Sequence, residues 1–212
     1  MQQLNYKQLK TGIAITLFTA LILIAMTFAI GKNNLFLLLN ADLGIIADYF
    51  FKYYTNLGDG IFWIAWLIVF IIYRRKLIPL LVAAFVFSTV FTHLFKDFLI
   101  PNAPRPTKAI TDLSLIHTVT GVELWKVGSF PSGHTATAFT FFLLACLLID
   151  KKWIIPIGFI FALLVAYSRV YLAEHFPHDT AGGMIAAILT VLLSLWVQQL
   201  YRKKTSQIQA PA

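Results

Sequence analysis

The sequence predicts an all-α membrane protein, a bundle of six transmembrane helices with a loop and an interfacial helix on its outer face. Hydrophobic residues make up 59% of the 212 residues and charged residues only 12%, whereas a soluble domain carries about 25% charged residues. Uncharged apolar runs recur along the chain, several of them close to the ~20 residues that cross a bilayer. Basic residues are grouped between these runs. Together these observations indicate that lipid surrounds most of the chain.

The apolar runs set the boundaries of six spans within a single domain, residues 1–212. The first run is longer than the apolar region of a signal peptide, and no small-x-small cleavage site follows it. We therefore interpret it as a retained membrane helix. The spans are predicted at about 12–30, 58–73, 77–95, 133–149, 153–171 and 181–200.

Three further segments lie between or beyond the spans. Residues 35–54 mix apolar side chains with acidic and amide side chains, a pattern typical of an amphipathic helix on the membrane surface. Residues 101–129 form a long polar connection that contains three prolines. Residues from about 205 to 212 are predicted to form a disordered tail.

The basic residues predict the orientation in the membrane. With six spans, the two termini and two of the turns share one side, which has a single acid, Asp150. The positive-inside rule places this side in the cytoplasm. Both termini are therefore predicted to lie on the cytoplasmic side of a plasma or bacterial inner membrane. The net charge of +8 then reflects topology and contacts with lipid headgroups, and no nucleic-acid partner is predicted. The basic residues on this side are Lys7, Lys10, Arg74, Arg75, Lys76, Lys151, Lys152, Arg202, Lys203 and Lys204.

The sequence predicts neither a disulfide nor a metal site. The single cysteine, Cys146, lies within an apolar run, where its expected role is packing. No Cys/His cluster has the spacing of a structural zinc site. We therefore predict no metal and no other cofactor, and no oligomeric state follows from the sequence.

The segment Pro131-Ser132-Gly133-His134 stands where the polar connection becomes the fourth span. Ser132 is a good N-cap, and Gly133 allows a ligand to approach the backbone. The N-terminus of a helix favours an anion, and His134 could exchange a proton with it. The alternative is an ordinary helix start with turn residues.

The predicted topology brings further ionisable side chains to the same membrane face. Three cations and two histidines at one depth describe a site for a phosphate group. His175 and Asp179 are four residues apart, so a helical turn would place them on one face, where the carboxylate would fix the histidine tautomer. Each residue also has a structural alternative, such as a lysine that reaches the interface, a solvated loop arginine or a surface His–Asp contact. The ionisable residues that accompany Ser132, Gly133 and His134 are Lys96, Arg105, Arg169, His175 and Asp179. The other histidines, His93, His117 and His178, are expected to have structural or solvent-facing roles.

These stretches resemble the signature of the type 2 phosphatidic acid phosphatase superfamily, integral membrane lipid phosphatases related to vanadium haloperoxidases. The segment from Pro131 to His134 resembles the second motif residue for residue. Ser168-Arg169, with His175 and Asp179 after it, resembles the third in full spacing. In the first motif, Lys96 and Arg105-Pro106 are separated by two residues more than in the family.

The resemblance implies a metal-independent phosphatase that acts through a phosphohistidine. His175 would attack phosphorus, Asp179 would orient it, and His134 would protonate the leaving oxygen. The phosphoryl oxygens would be held by Lys96, Arg105, Ser132, Gly133 and Arg169. Candidate substrates are phosphatidylglycerol phosphate, undecaprenyl diphosphate, phosphatidic acid and a lipid A phosphate. The alternatives are an anion-binding or transport protein without hydrolase activity, and a vanadate-dependent haloperoxidase relative, a branch whose members are soluble.

Overall fold

The computed structural model describes residues 4–208, and its regular elements in that range are helices, with one isolated antiparallel bridge between Pro104 and Val127. The all-α prediction is therefore confirmed. The helices are α1 (Tyr6–Ile30), α2 (Lys32–Leu39), α3 (Ile45–Tyr54), α4 (Phe62–Tyr73), α5 (Ile78–His93), α6 (Pro106–Ala109), α7 (Gly133–Leu148), α8 (Ile154–Tyr171) and α9 (Pro177–Ile208).

Several helices have the length and composition of membrane spans. Four of them qualify alone: Tyr6–Ile30, Arg75–Leu99, Ile154–Tyr171 and Pro177–Thr205. A fifth candidate is a broken span of Ile45–Gly58 and Phe62–Tyr73, which meet at a bend of 49°. Helix α7 has 16 residues, fewer than the ~20 that cross a bilayer. The helices are those of an integral membrane protein, and the count of six spans stays a prediction.

Large apolar side chains remain exposed along the outside of the bundle. Phe18 and Phe28 of α1 are 66% and 85% exposed, and Ile64 of α4 and Trp196 of α9 are also exposed. Soluble monomers seldom expose so much contiguous apolar surface. These faces are suited to contact with lipid chains.

Helix α7 lies at the centre of the bundle. Its residues 135–147 are all buried, and it packs against α1, α5, α8 and α9. A helix surrounded on every side needs no charged face, which explains why no Asp, Glu, Lys or Arg occurs in α7. Its N-terminal turn, which carries Ser132 and His134, is consequently held inside the bundle rather than at its rim.

The predicted interfacial helix at 35–54 is broken into α2 and α3. Asn40 ends α2, and its buried side-chain amide donates hydrogen bonds to the carbonyl oxygens of His117, Val170 and Tyr171 at 3.1, 3.0 and 2.9 Å. Gly44, at φ 88°, then begins α3. The prediction of one helix over residues 35–54 was wrong, because the Asn40 side chain binds backbone carbonyl groups of distant residues and α2 ends there.

The C-terminal boundary also differs from the prediction. Helix α9 runs to Ile208, so residues 205–208 of the predicted tail at 205–212 are helical. Lysine, arginine and glutamine are good helix formers, which favours extension of α9 beyond the apolar run. Residues 209–212 lie outside the described residues.

Candidate active site

The N-terminal turn of α7 carries three of the predicted residues. Ser132 is the N-cap, and its hydroxyl oxygen accepts a hydrogen bond from the Thr135 N–H at 3.4 Å. Gly133 and His134 begin the helix. The unpaired N–H groups of such a turn favour an anion. The Ser132 N–H itself donates to the Asp179 carbonyl oxygen at 3.0 Å, which ties this turn to the start of α9.

Gly183 allows α7 and α9 to approach each other at this point. A Cβ atom at residue 183 would lie 2.6 Å from the Ser132 carbonyl oxygen and 2.9 Å from the Thr135 Cβ atom. Backbone atoms cannot move aside as a flexible side chain can, so a larger residue would displace α9. We call the end of the bundle where the N-termini of α7 and α9 meet the C-terminus of α8 the site end.

Arg169 lies in the last turn of α8 and is only 8% exposed. Its Nη1 donates to the Thr55 hydroxyl at 2.7 Å, and its Nη2 lies 3.5 Å from a Glu174 carboxylate oxygen. Its Nε has no hydrogen-bond partner among the described residues. A buried guanidinium with an unused donor is well suited to bind a phosphoryl oxygen.

Arg105 is also buried, so the alternative of a solvated loop charge is wrong. Its Nε donates to the Val127 carbonyl oxygen at 3.0 Å, and its Nη1 donates to the carbonyl and carboxylate oxygens of Glu174. Burial lowers the pKa of Arg105, and the Glu174 carboxylate opposes this shift. The ion pair keeps the guanidinium charged and fixes its orientation.

Lys96 lies in a π-helical turn, Leu94–Leu99, that follows α5. Its ammonium group interacts electrostatically with Arg105, Arg169 and Asp179. A π-helical turn holds more residues than an α-helical turn and is frequent at functional sites. Despite the longer spacing between Lys96 and Arg105, Lys96 still interacts electrostatically with both buried arginines.

His175 and Asp179 form a buried pair at the start of α9. Their side chains are 2% and 1% exposed, and the His175 Nδ1 lies 3.6 Å from the Asp179 Oδ2. Burial lowers the pKa of His175 to about 3, against the opposing influence of the Asp179 carboxylate. His175 is therefore neutral near pH 7, the protonation state that a nucleophile requires.

The Asp179 carboxylate is held by several groups. Its Oδ2 accepts hydrogen bonds from the Ser129 hydroxyl at 2.5 Å and from the Phe176 N–H at 2.9 Å. Its Oδ1 lies 3.2 Å from the His178 Nε2. His178, for which we predicted a structural role, thus contacts the carboxylate that faces His175.

His134 completes the cluster from the α7 side. It interacts electrostatically with Arg169, His175, Lys96 and Arg105. The structure therefore brings together residues from three separate stretches of the chain at the site end. The predicted site residues found there are Lys96, Arg105, Ser132, Gly133, His134, Arg169, His175 and Asp179.

Glu174 is the residue that our sequence analysis missed. It is 3% exposed, and its carboxylate forms ion pairs with both Arg105 and Arg169. Burial raises the pKa of Glu174, whereas the two arginines lower it. The available signal was an acidic residue directly before His175, in a short loop between two apolar runs. A single carboxylate thus orients two of the three cations.

The remaining histidines, His93 and His117, form pairs with other aspartates. His93 contacts Asp97 at 2.9 Å in an exposed pair. His117 contacts Asp48 at 2.9 Å and lies 3.9 Å from Asp42. The ligand atoms of His117 and these two aspartates lie within 4.8 Å of one another, close enough to hold a metal ion. Our sequence analysis did not find this group, because its members come from distant stretches of the chain.

The cluster at the site end has the parts needed for transfer of a phosphoryl group. Two arginines, a lysine and a helix N-terminus surround the space beside His134 and His175. Such groups neutralise the charge that spreads over the phosphoryl oxygens in the transition state. A neutral histidine backed by a carboxylate supplies a nucleophile, and a second histidine supplies a proton donor.

Comparison with known proteins identifies the family. The family model described as the PAP2 superfamily matches residues 77–203, more than half of the chain and the region that contains every predicted site residue. The chain belongs to the PAP2 superfamily. The resemblance to type 2 phosphatidic acid phosphatases, carried by three short motifs, is confirmed.

Curated relatives in the PAP2 superfamily are similar over part of their length. An undecaprenyl-diphosphatase of Sulfolobus acidocaldarius is 37% identical over 70 residues, 33% of this chain and 34% of that protein. The undecaprenyl-diphosphatase BcrC of Bacillus subtilis is 33% identical over 99 residues, 47% of each. The matches span less than half the length of these relatives.

A solved structure in the same superfamily matches more of the chain. The crystal structure of Aquifex aeolicus LpxE aligns with a TM-score of 0.65 and 33% sequence identity. The alignment covers 76% of this chain and 92% of LpxE. The likeness therefore extends over most of the bundle.

Proposed function

We propose that this protein is an integral membrane phosphatase that hydrolyses the terminal phosphate of a lipid phosphate, with undecaprenyl diphosphate as the favoured substrate. Membership of the PAP2 superfamily and two relatives named undecaprenyl-diphosphatases support this substrate class. Phosphatidylglycerol phosphate, phosphatidic acid and a lipid A phosphate are the other candidates. The observation that carries the proposal is the buried His175–Asp179 pair surrounded by three cations.

In the proposed reaction, His175 acts through its Nε2, because Nδ1 faces Asp179. The Nε2 lone pair attacks phosphorus, and the bond between phosphorus and the leaving oxygen breaks. His134 donates a proton to that oxygen, and a phosphohistidine is left. Water activated by His134 then attacks the phosphohistidine, which releases inorganic phosphate and restores neutral His175.

The cations replace the charge that a magnesium ion supplies in other phosphoryl-transfer enzymes. Lys96, Arg105 and Arg169 neutralise the phosphoryl oxygens, together with the N–H groups of the α7 N-terminal turn. The ion pairs of Glu174 with both arginines hold these groups in place before the substrate binds. Preorganised charge of this kind requires little rearrangement in the transition state.

We further propose that the site end faces the outer, periplasmic side of a bacterial inner membrane, with both termini in the cytoplasm. The support is the grouping of basic residues at the opposite end. An alkaline phosphatase reporter fused at Ala212 should then be inactive, whereas a reporter inserted at an exposed residue of the 101–129 connection should be active. The reverse pattern would overturn this orientation.

Phosphate release tests the proposed activity. The protein purified in detergent, with EDTA present, should release phosphate from at least one lipid phosphate. A panel that varies headgroup and tail separately should give the highest kcat/KM for a long-chain polyprenyl diphosphate. Absence of release across the whole panel would contradict the phosphatase proposal, and a higher kcat/KM for a phospholipid would contradict the substrate.

The alternatives find less support in the arrangement of charge. An anion pathway would need cations at several depths of the bundle, whereas Lys96, Arg105 and Arg169 collect at the site end. A haloperoxidase relative would be expected to be soluble, whereas α1, α8 and α9 have the composition of membrane spans.

A further inference from the structure

A groove runs along the site end of α1 and α9, beside the catalytic cluster. It consists of two adjoining cavities of about 330 and 440 Å³, whose linings share Lys32, Phe130 and His178. The first cavity reaches Ser129 and Asp179. The second cavity continues away from the site end between α1 and α9.

The deeper part of this groove is apolar and open towards lipid. It is lined by Ile24, Thr27 and Phe28 of α1 and by Gly182 and Ile185 of α9. Phe28 is 85% exposed, so the groove is not closed off from the surface of the bundle. These side chains can cover a hydrocarbon chain but offer little to a polar ligand.

Gly182 shapes the wall of the groove. A Cβ atom at this position would lie 2.5 Å from the Phe130 ring, so the glycine lets the ring pack directly against α9. The Phe130 ring in turn stacks on His178, with ring centroids 6.3 Å apart. The polar and apolar parts of the groove therefore meet at one aromatic side chain.

The end of the groove nearest the α9 N-terminus has one cation, Lys32, which lines both cavities, and one carboxylate, Asp179, which lines only the first. Lys32 begins α2, and its Nζ lies 4.7 Å from the centre of the Phe176 ring. No acidic side chain in residues 4–208 forms an ion pair with Lys32. The Lys32 ammonium group can bind an anionic group, and the second cavity, which Lys32 also lines, has no acidic side chain in its lining.

We infer that this groove binds an anionic membrane phospholipid, with one acyl chain between α1 and α9 and the phosphate on Lys32. A basic group at the interfacial end of an apolar groove is complementary to an anionic headgroup with its chain below it. This lipid is not the substrate, since none of the proposed site residues lines the second cavity and Asp179 alone among them lines the first. The inference is independent of the proposed hydrolysis.

Native mass spectrometry of the delipidated full-length protein tests this inference. The protein is titrated with phosphatidylglycerol and with phosphatidylcholine of identical chains. We expect the first bound phosphatidylglycerol to be held at least fivefold more tightly than phosphatidylcholine. Inorganic phosphate should not displace it, because the acyl chain supplies much of the binding. Equal affinity for the two lipids, or displacement by phosphate, would overturn the inference.

Variants locate the lipid on the molecule. Lys32→Gln should weaken phosphatidylglycerol binding about fivefold, as expected for one lysine near a membrane surface, and leave phosphatidylcholine binding unchanged. Lys108→Gln, an exposed lysine outside the groove, is the matched control and should bind like the wild type. Thr27→Phe should fill the apolar part and weaken both lipids. His175→Ala should keep wild-type affinity for phosphatidylglycerol. If Lys32→Gln binds like the wild type, or if His175→Ala loses the lipid, the groove is not the binding site.

Discussion

Two His–Asp pairs in this protein have the same spacing in sequence but very different surroundings. His93 and Asp97 are four residues apart, as are His175 and Asp179, and both pairs approach through Nδ1 and Oδ2. The exposed pair is the closer, at 2.9 Å against 3.6 Å. Its side chains are 62% and 55% exposed, however, whereas those of the buried pair are 2% and 1% exposed.

The comparison shows that spacing brings a histidine and a carboxylate together but does not by itself make a nucleophile. Around the buried pair, the Ser129 hydroxyl and the Phe176 N–H hold the carboxylate, and Arg105 and Arg169 interact electrostatically with His175. The exposed pair lies on the outside of the bundle, near the end of the candidate membrane span Arg75–Leu99. The two pairs therefore differ in burial and in their cationic neighbours, which are Arg105 and Arg169 beside His175 and Lys96 beside Asp97.

The largest expected effect on activity distinguishes His175 from His93. His175→Ala should lower kcat/KM by at least about 10⁴-fold, because the variant lacks the proposed nucleophile. It should also abolish the acid-labile phosphoprotein, measured with a radiolabelled substrate. His93→Ala is the matched control and should change kcat/KM by roughly twofold or less. Similar losses in the two variants would contradict the assignment of His175.

Substitution of Asp179 should reduce activity far more than substitution of Asp97, as for the two histidines. Asp179→Asn removes the charge that orients His175 and should lower kcat by about 10²–10⁴-fold. Asp97→Asn at the exposed pair should retain wild-type kcat. Single-turnover kinetics should show that the phosphorylation step is slowed in Asp179→Asn. A slowed dephosphorylation step alone would argue against an orienting role.

Glu174 tests whether the cations must be held in place. Glu174→Gln keeps the shape of the side chain but removes the charge that orients Arg105 and Arg169. Misplaced binding groups should lower kcat/KM by up to about 100-fold, and loss of a buried ion pair should lower the melting temperature. Glu123→Gln, an exposed acid nearby in the outer connection, should affect neither quantity. Equal behaviour of the two variants would mean that Glu174 has no positioning role.

The smallest effect is expected at His178. Its Nε2 lies 3.2 Å from the Asp179 Oδ1, but Ser129 and Phe176 already hold the other carboxylate oxygen. His178→Ala should therefore retain most of the wild-type kcat, within roughly fivefold, or about 1 kcal/mol. A loss of kcat as large as that of Asp179→Asn would show that the His178 contact with the Asp179 carboxylate matters more for activity than burial of that carboxylate.

The sequence predicted the cluster because charge in a membrane protein is sparse. Arg169 interrupts an apolar run and Ser132 precedes another, so both residues stand out from the residue pattern alone. The long helices could be predicted for the same reason, because few charged residues interrupt their apolar runs. The predicted site residues are found together at the site end, and their individual roles remain predictions.

Other features depend on contacts that the linear sequence does not show. The role of Glu174 requires Arg105, which lies 69 residues away in the chain. The break after Asn40 depends on carbonyl groups more than 70 residues distant. The π-helical turn at Lys96 changes the backbone without a distinctive residue pattern. In each case, tertiary contacts or backbone geometry decide the outcome.

The close approach of α7 and α9 at Gly183 limits how the sequence of this protein can vary. A replacement there would remove no chemical group from the reaction, yet it would separate the turn of Ser132 and His134 from Asp179. Chimeras that exchange α9 between relatives should therefore work only where the residue facing the Ser132 carbonyl oxygen is equally small. Helices α7 and α9 must therefore come from relatives that match at this contact, even when every predicted site residue is present in both parents.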